Sequence, residues 1–313
     1  MKKYPAICIF FAAALTLSAF IRPDEAGGLF PRLSDYHIYD GNPAALSPAR
    51  GFHAYQVANG LFADYAEKQR LLKLPQGTTF TAIGDGIPDL PEGTLLVKTF
   101  YYFNDKRDVA KGKKIIETRV LLKDHSGWTA GTYIWNNEQT EALLSDRSAN
   151  IPVEWTDANG QIRNITYHVP GAKDCGSCHR SGQDMQPIGF RIRNLNTNGQ
   201  LQQLQQQGLM TPANLSGFTT ISHWKNPVAS LEERARAYLD ITCGHCHSAG
   251  GSCEKAGLKL NYETSLPYTG IVNKGDRIVH MIAKGRMPRI GTAVVDEEGL
   301  ALVREYVNSL KNR

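Results

Sequence analysis

The chain has 313 residues, a formal net charge of +5 and 42% hydrophobic side chains. The positive surplus is too small and too dispersed to indicate a nucleic-acid partner. The length exceeds what one small core serves and points to two or three domains.

In chain order, residues 1–20, "MKKYPAICIFFAAALTLSAF", join a basic start (Lys2, Lys3) to an apolar run. That is the pattern of an export signal, with Ser18 and Ala19 as small residues for cleavage. The alternative is an uncleaved anchor, because the run is close to the lower limit for a spanning helix. No later run is long enough to cross a bilayer, so membrane association is expected only if this segment is retained. The remainder is expected outside the cytoplasm, in the periplasm.

Residues 29–169 alternate short apolar and β-branched runs with turn residues. "TFTAI" (Thr79–Ile83), "LLVKTFYYF" (Leu95–Phe103), "IIETRVLLK" (Ile115–Lys123) and "WTAGTYIW" (Trp128–Trp135) read as strands. "PVEW" and "QIRNITYHV" flank "TDANG" and read as a hairpin. This stretch contains Trp128, Trp135 and Trp155 but no cysteine, and is expected to form an all-β domain, sandwich or barrel-like.

The texture changes near Pro170. "NGQLQQLQQQGLM" places Leu201 and Leu204 on one helical face and Gly208 where the helix stops. "SLEERARAYLDITCGHCH" opens with capping-box spacing between Ser230 and Glu233, and Leu231, Ala235, Tyr238, Leu239 and Thr242 line one side of it. The last helix, "DEEGLALVREYVNSLKNR", is capped by Asp296 and has Leu300, Val303, Val307 and Leu310 as its stripe. The expected class is therefore α+β and multidomain. The β-rich domain (29–169) is followed by two mainly α-helical modules, 170–229 and 230–313.

Each module holds one C-x-x-C-H: Cys175, Cys178 and His179, then Cys243, Cys246 and His247. Residues i, i+3 and i+4 share a helical face. Two thiols so placed can add across the vinyl groups of a haem while the imidazole stands under the iron, which is the c-type haem signature. A shared zinc site would need the two pairs roughly 15–20 residues apart, and Cys178 and Cys243 are far more widely separated. A thioredoxin-like pair would need a βαβ context that is not visible. The expected cofactors are two covalent haems c. Cys253 reads as a small buried thiol and His245 as a surface residue.

A second axial ligand decides between electron transfer and catalysis. Met287, in "KGRMPRIG" between the second motif and the last helix, is the expected distal ligand of the second haem. For the first haem Met210 is preferred, with His223, Met185 and His168 left open. Pro187 is a candidate to present its carbonyl to His179 and fix its tautomer.

The segments "RARAYLDITCGHCH", "AGLKLNYE", "KGRMPRIG" and "LALVREYVNSL" resemble a class I cytochrome c domain, and the resemblance implies His247 and Met287 as an axial pair. Together with "LFADYAEKQRLLKLP", "EGTLLVKTFYY", "IETRVLL", "YIWNNEQTEALL", "YHVPGAKDCGSCH" and "PIGFRIRNLN", they make the chain similar to a family of bacterial dihaem c-type cytochromes with an N-terminal β-rich domain. That resemblance implies single-electron transfer outside the cytoplasm with a redox partner protein. Two alternatives stay open: a dihaem peroxidase or oxidase with one open iron, and a ligand-binding β-domain drained by haem electron relays.

Overall fold

The computed structural model describes residues 28–311, and segment 1–20, expected from its sequence to be an export signal, lies outside them. Six strands form one open antiparallel sheet in chain order: β1 (His53–Ala54), β2 (Glu67–Lys73), β3 (Leu95–Phe103), β4 (Lys113–Asp124), β5 (Gly127–Trp135) and β6 (Ala142–Ser145). A separate hairpin joins β7 (Ala149–Thr156) to β8 (Ile162–Val169) through the "TDANG" loop. The sheet is a meander with β1 and β6 at its edges, not a closed barrel. Thr79–Ile83 does not enter it: Phe80 and Thr81 make single bridges, to Met210 and Asp89. The chain turns away at once through Gly84, whose φ of +55° suits glycine.

The central strands are apolar on both faces because both faces are covered. Leu71, Val97, Val120 and Tyr133 meet the preceding segment through Leu33, Tyr36, Ile38 and Phe52. On the other face, Leu72, Leu96 and Leu121 meet Phe190, Ile192, Leu195, Leu201, Leu204 and Met210. One hydrophobic core thus joins the sheet to the chain beyond residue 170. That chain carries α1 (Ala172–His179), the short strands β9 (Arg180–Ser181) and β10 (Asp184–Met185), α2 (Ile192–Leu195) and α3 (Gln200–Gln206).

The remaining helices are α4 (Leu231–Leu239), α5 (Leu266–Thr269), α6 (Ile271–Ala283) and α7 (Glu297–Lys311). The Ser230 hydroxyl accepts from Glu233 N at 3.2 Å, and Ser230 N donates to the Glu233 carboxylate at 2.9 Å. These bonds satisfy orphan amides at the start of α4. Asp296 does the same for α7, accepting from Gly299 N at 3.1 Å. Leu300, Val303 and Val307 bury the α7 stripe against Ala235, Tyr238 and Leu239 of α4 and Ile278 and Ile282 of α6. The fold is α+β, a β-rich N-terminal part and a helical C-terminal part. Among the described residues no helix is long and apolar enough to cross a membrane.

Close helix approach depends on two glycines. A Cβ on Gly299 would lie 2.2 Å from the Tyr238 ring, and one on Gly275 would lie 2.6 Å from Val307 Cγ1. Gly299→Ala is expected to lower stability by about 1–3 kcal/mol through overpacking, read as an earlier midpoint in denaturant unfolding.

Candidate cofactor-binding site

Helix α1 presents Cys175, Cys178 and His179 from one side. Its first turn is held by Gly171 N donating to the Asp174 carboxylate at 3.1 Å. The helix lies against β5, where Cys175 Sγ is 3.8 Å from Thr132 Oγ1. His179 Nδ1 donates to the Gln186 carbonyl at 2.7 Å, and Gln186 N returns a bond to the His179 carbonyl at 2.7 Å. The tautomer is therefore fixed by the residue before Pro187, not by Pro187 itself, and Nε2 keeps its lone pair. Burial pulls the His179 imidazole down to about 3, so it is neutral at working pH.

The second motif follows α4 through a π-type turn at Asp240–Gly244. His247 N donates to Cys243 O at 2.8 Å, which keeps Cys243, Cys246 and His247 on one helical turn. Cys243, His247 and Met287 line one cleft of about 820 Å³, walled mainly by Leu258, Leu260, Ile278, Met281 and Ile282, with Lys274 and Arg277 also at its border. His247 Nδ1 is buried and has no hydrogen-bond partner among the described residues. The Met287 loop is anchored from the sheet side. The fully buried Asp64 carboxylate accepts Ala293 N at 2.9 and 2.8 Å and Val294 N at 3.1 Å. Burial pushes the Asp64 carboxyl up, and these backbone bonds oppose that.

The two motifs face each other. Cys178, Cys246 and His245 offer donor atoms within 4.8 Å of one another. The Cys178 thiol is pushed up and the Cys246 thiol down, each chiefly by its hydrogen bond with the other. A larger cleft of about 1240 Å³ runs between Cys178, Cys243, Cys246, His247 and Met287. His245 is not a simple surface residue: it borders this cleft and the first motif's own, with a donor atom within 4.8 Å of those of Cys178 and Cys246.

Four residues considered as distal ligands for the first motif lie elsewhere. Met210 is 1% exposed in the core under the sheet, packed among Phe80, Phe190 and Leu209. Its side chain fills the gap between α3 and the sheet. His168 sits on β8 with Nδ1 2.9 Å from Asn150 Oδ1, His223 stacks beside Trp224, and Met185 pairs with Arg180 in β10. None of them borders the cleft of about 840 Å³ that fronts Cys175, Cys178 and His179.

What borders that cleft is a set of cations from the sheet: Lys68, Arg70, Lys98 and Arg119, beside Phe100. The antiparallel register sets Arg70 opposite Lys98, Lys98 opposite Arg119, and Arg119 opposite Thr132. Three like charges directly abreast are unfavourable in a sheet. Arg119 is neutralised by Glu117 in a two-pronged pair at 2.9 and 2.5 Å, and Glu117 also accepts from Tyr167 Oη at 2.6 Å. Lys68 donates to the Leu61 carbonyl and stands over the Phe100 ring. Burial, with Arg70 and Arg119 adding to it, brings the Lys98 ammonium down to about 7. Sequence reading missed this row because its members are brought together by register, with no local motif to mark them.

Asp64→Ala would leave the amides of Ala293 and Val294 without acceptors. The expected cost is about 2–3 kcal/mol, measured by denaturant unfolding, together with faster hydrogen exchange across residues 287–294.

Comparison with protein-family models, with curated proteins and with solved structures returned no match to this chain.

Proposed function

We propose that the chain is a dihaem c-type cytochrome that passes single electrons outside the cytoplasm to or from a protein partner, its helical modules built like cytochrome c and the terminal one of class I type. The observation that carries this reading is the placement of Cys243, His247 and Met287 around one cleft with mainly apolar walls. The residues present fit the group. His179 keeps a free Nε2 because Nδ1 is engaged, His247 lines a cleft with Cys243 and Met287, and each C-x-x-C-H borders a cleft. Cys175 and Cys178 would hold one haem and Cys243 and Cys246 the other, with His179 and His247 as the proximal ligands. When bound, the haems supply reversible one-electron storage at iron.

The chain's own residues tune that chemistry. Met287 would supply a thioether to the second haem, and such a ligand favours the reduced state. Leu258, Leu260, Ile278 and Ile282 would limit the access of water to it. The approach of Cys178 and Cys246, whose donor atoms lie within 4.8 Å of each other, supports exchange between two such haems.

A second reading, a peroxidase or oxidase with an open first iron, is favoured by one observation. None of Met210, Met185, His168 and His223 borders the first cleft. A metal–thiolate centre at Cys178, His245 and Cys246 is weaker, since it lacks the fourth donor of a closed structural site and leaves Cys175, His179, Cys243, His247 and Met287 without a role.

Expressed in a host able to attach haem c, the mature protein is expected to gain the mass of two haems and to give two haems per chain in a pyridine haemochrome assay. One or none overturns the proposal. Met287→Leu is expected to abolish the methionine-to-iron charge-transfer band of the ferric protein and lower one reduction potential. Carbon monoxide binding to the reduced wild-type protein separates the readings: a carrier with both irons six-coordinate ignores it, whereas an enzyme binds it at the first site.

A further inference from the structure

We propose that Arg70 and Lys98 form the carboxylate-binding wall of the first site and hold the two propionates of the haem joined to Cys175 and Cys178. This rests on the haem reading above and adds an assignment of residues, an orientation and a source for the anion.

The cross-strand row has a direction. It starts on β5 at Thr132, which touches Cys175, and continues through Arg119 on β4 and Lys98 on β3 to Arg70 on β2. Adjacent strands are about 4.8 Å apart, so Lys98 and Arg70 lie about 10 and 14 Å along the row from Thr132. In a porphyrin of the haem type the vinyl edge and the propionate edge are opposite each other. A vinyl edge fixed beside Thr132 therefore aims the carboxylates at the far end of the row.

The unpartnered side chains match the two carboxylates in number as well as in position. Arg119 is already satisfied by Glu117, and Lys68 by the Leu61 carbonyl and the Phe100 ring. The side chains of Arg70 and Lys98 have no hydrogen-bond or ion-pair partner among the described residues. Two cationic side chains without a partner among the described residues thus stand ready for two carboxylates. The carboxyl group of Asp174, which also borders the cleft, is occupied at Gly171 N. Charge-assisted bonds of this kind are the stronger class, and a guanidinium can take a carboxylate with two parallel bonds. A free oxyanion such as phosphate or nitrite offers the same chemistry, and the test separates it from the propionates.

The experiment uses the mature protein carrying both haems, with haem content measured first. A protein without two haems fails the functional reading, whereas everything below bears on the row alone. Lys98→Met and Arg70→Gln, each removing a positive charge near one haem, are expected to lower one of the two reduction potentials and leave the other unchanged. Lys98→Arg is expected to restore the wild-type value. Phosphate and nitrite titrations are expected to leave the Soret band unmoved, because the row is already filled. Three results would overturn the proposal: both potentials unchanged in both substituted proteins; a saturable anion-induced Soret shift that disappears in Lys98→Met; or a histidine–amine near-infrared signature lost in Lys98→Met, which makes Lys98 an iron ligand. Should Lys98→Met fail to accumulate, Arg70→Gln carries the electrochemical arm by itself.

Discussion

Three cationic side chains stand abreast on the face of a sheet whose next row is pure hydrocarbon. Leu72, Leu96 and Leu121 seal against Phe190, Ile192 and Leu204, while one pleat away Arg70, Lys98 and Arg119 open onto the cleft of the first motif. Placing like charges in a cross-strand row works against the sheet. The fold tolerates it because Glu117 neutralises one member and because the row faces a cavity instead of packed side chains. The hydrocarbon row anchors the helical part to the sheet. That anchoring in turn brings α1 against β5 and sets the first C-x-x-C-H over the charges.

The two motifs sit in different surroundings although their sequences match. The second is enclosed by its own helices, with Leu260, Ile278 and Ile282 around Cys243, His247 and Met287. The first borrows its walls from the sheet, with Lys98, Phe100 and Arg119 where the second has aliphatic side chains. The second cleft is mainly aliphatic with Lys274 and Arg277 at its border, whereas the first has four cationic side chains from the sheet, so the two motifs meet different electrostatic surroundings. Asp64 links the two halves, reaching from the segment before β2 to the backbone that follows Met287. Arg193 makes a second link, from α2 to Asp240 at the start of the second motif at 2.9 Å.

Legibility in the sequence followed the range of the interaction involved. Strands β3, β4 and β5 and the β7–β8 hairpin were readable because apolar runs and a Gly-ended loop are local signals. Strand β2 was not, because "EKQRLLK" carries four charged residues, and such a stretch reads as solvent-facing unless its cleft is known. Met210 had a suitable loop length for a ligand but serves as core filler, since Leu209 and Met210 pair with Phe80 to close the sheet's apolar face. The carbonyl on His179 came from Gln186 and not from Pro187, a shift of one residue that only backbone geometry reveals.

The sequence by itself determined both C-x-x-C-H turns, the capped helices α4 and α7, and the β-then-α order of the chain. Each of these depends on residues within one turn or one short run of each other. Tertiary structure alone decided which side chains front each motif: Met287 beside His247, and Arg70, Lys98 and Arg119 beside Cys175 and His179. Those neighbours come from separate strands and a distant loop. Their meeting is fixed by strand register and by burial of a shared core, neither of which leaves a mark in any local stretch of sequence.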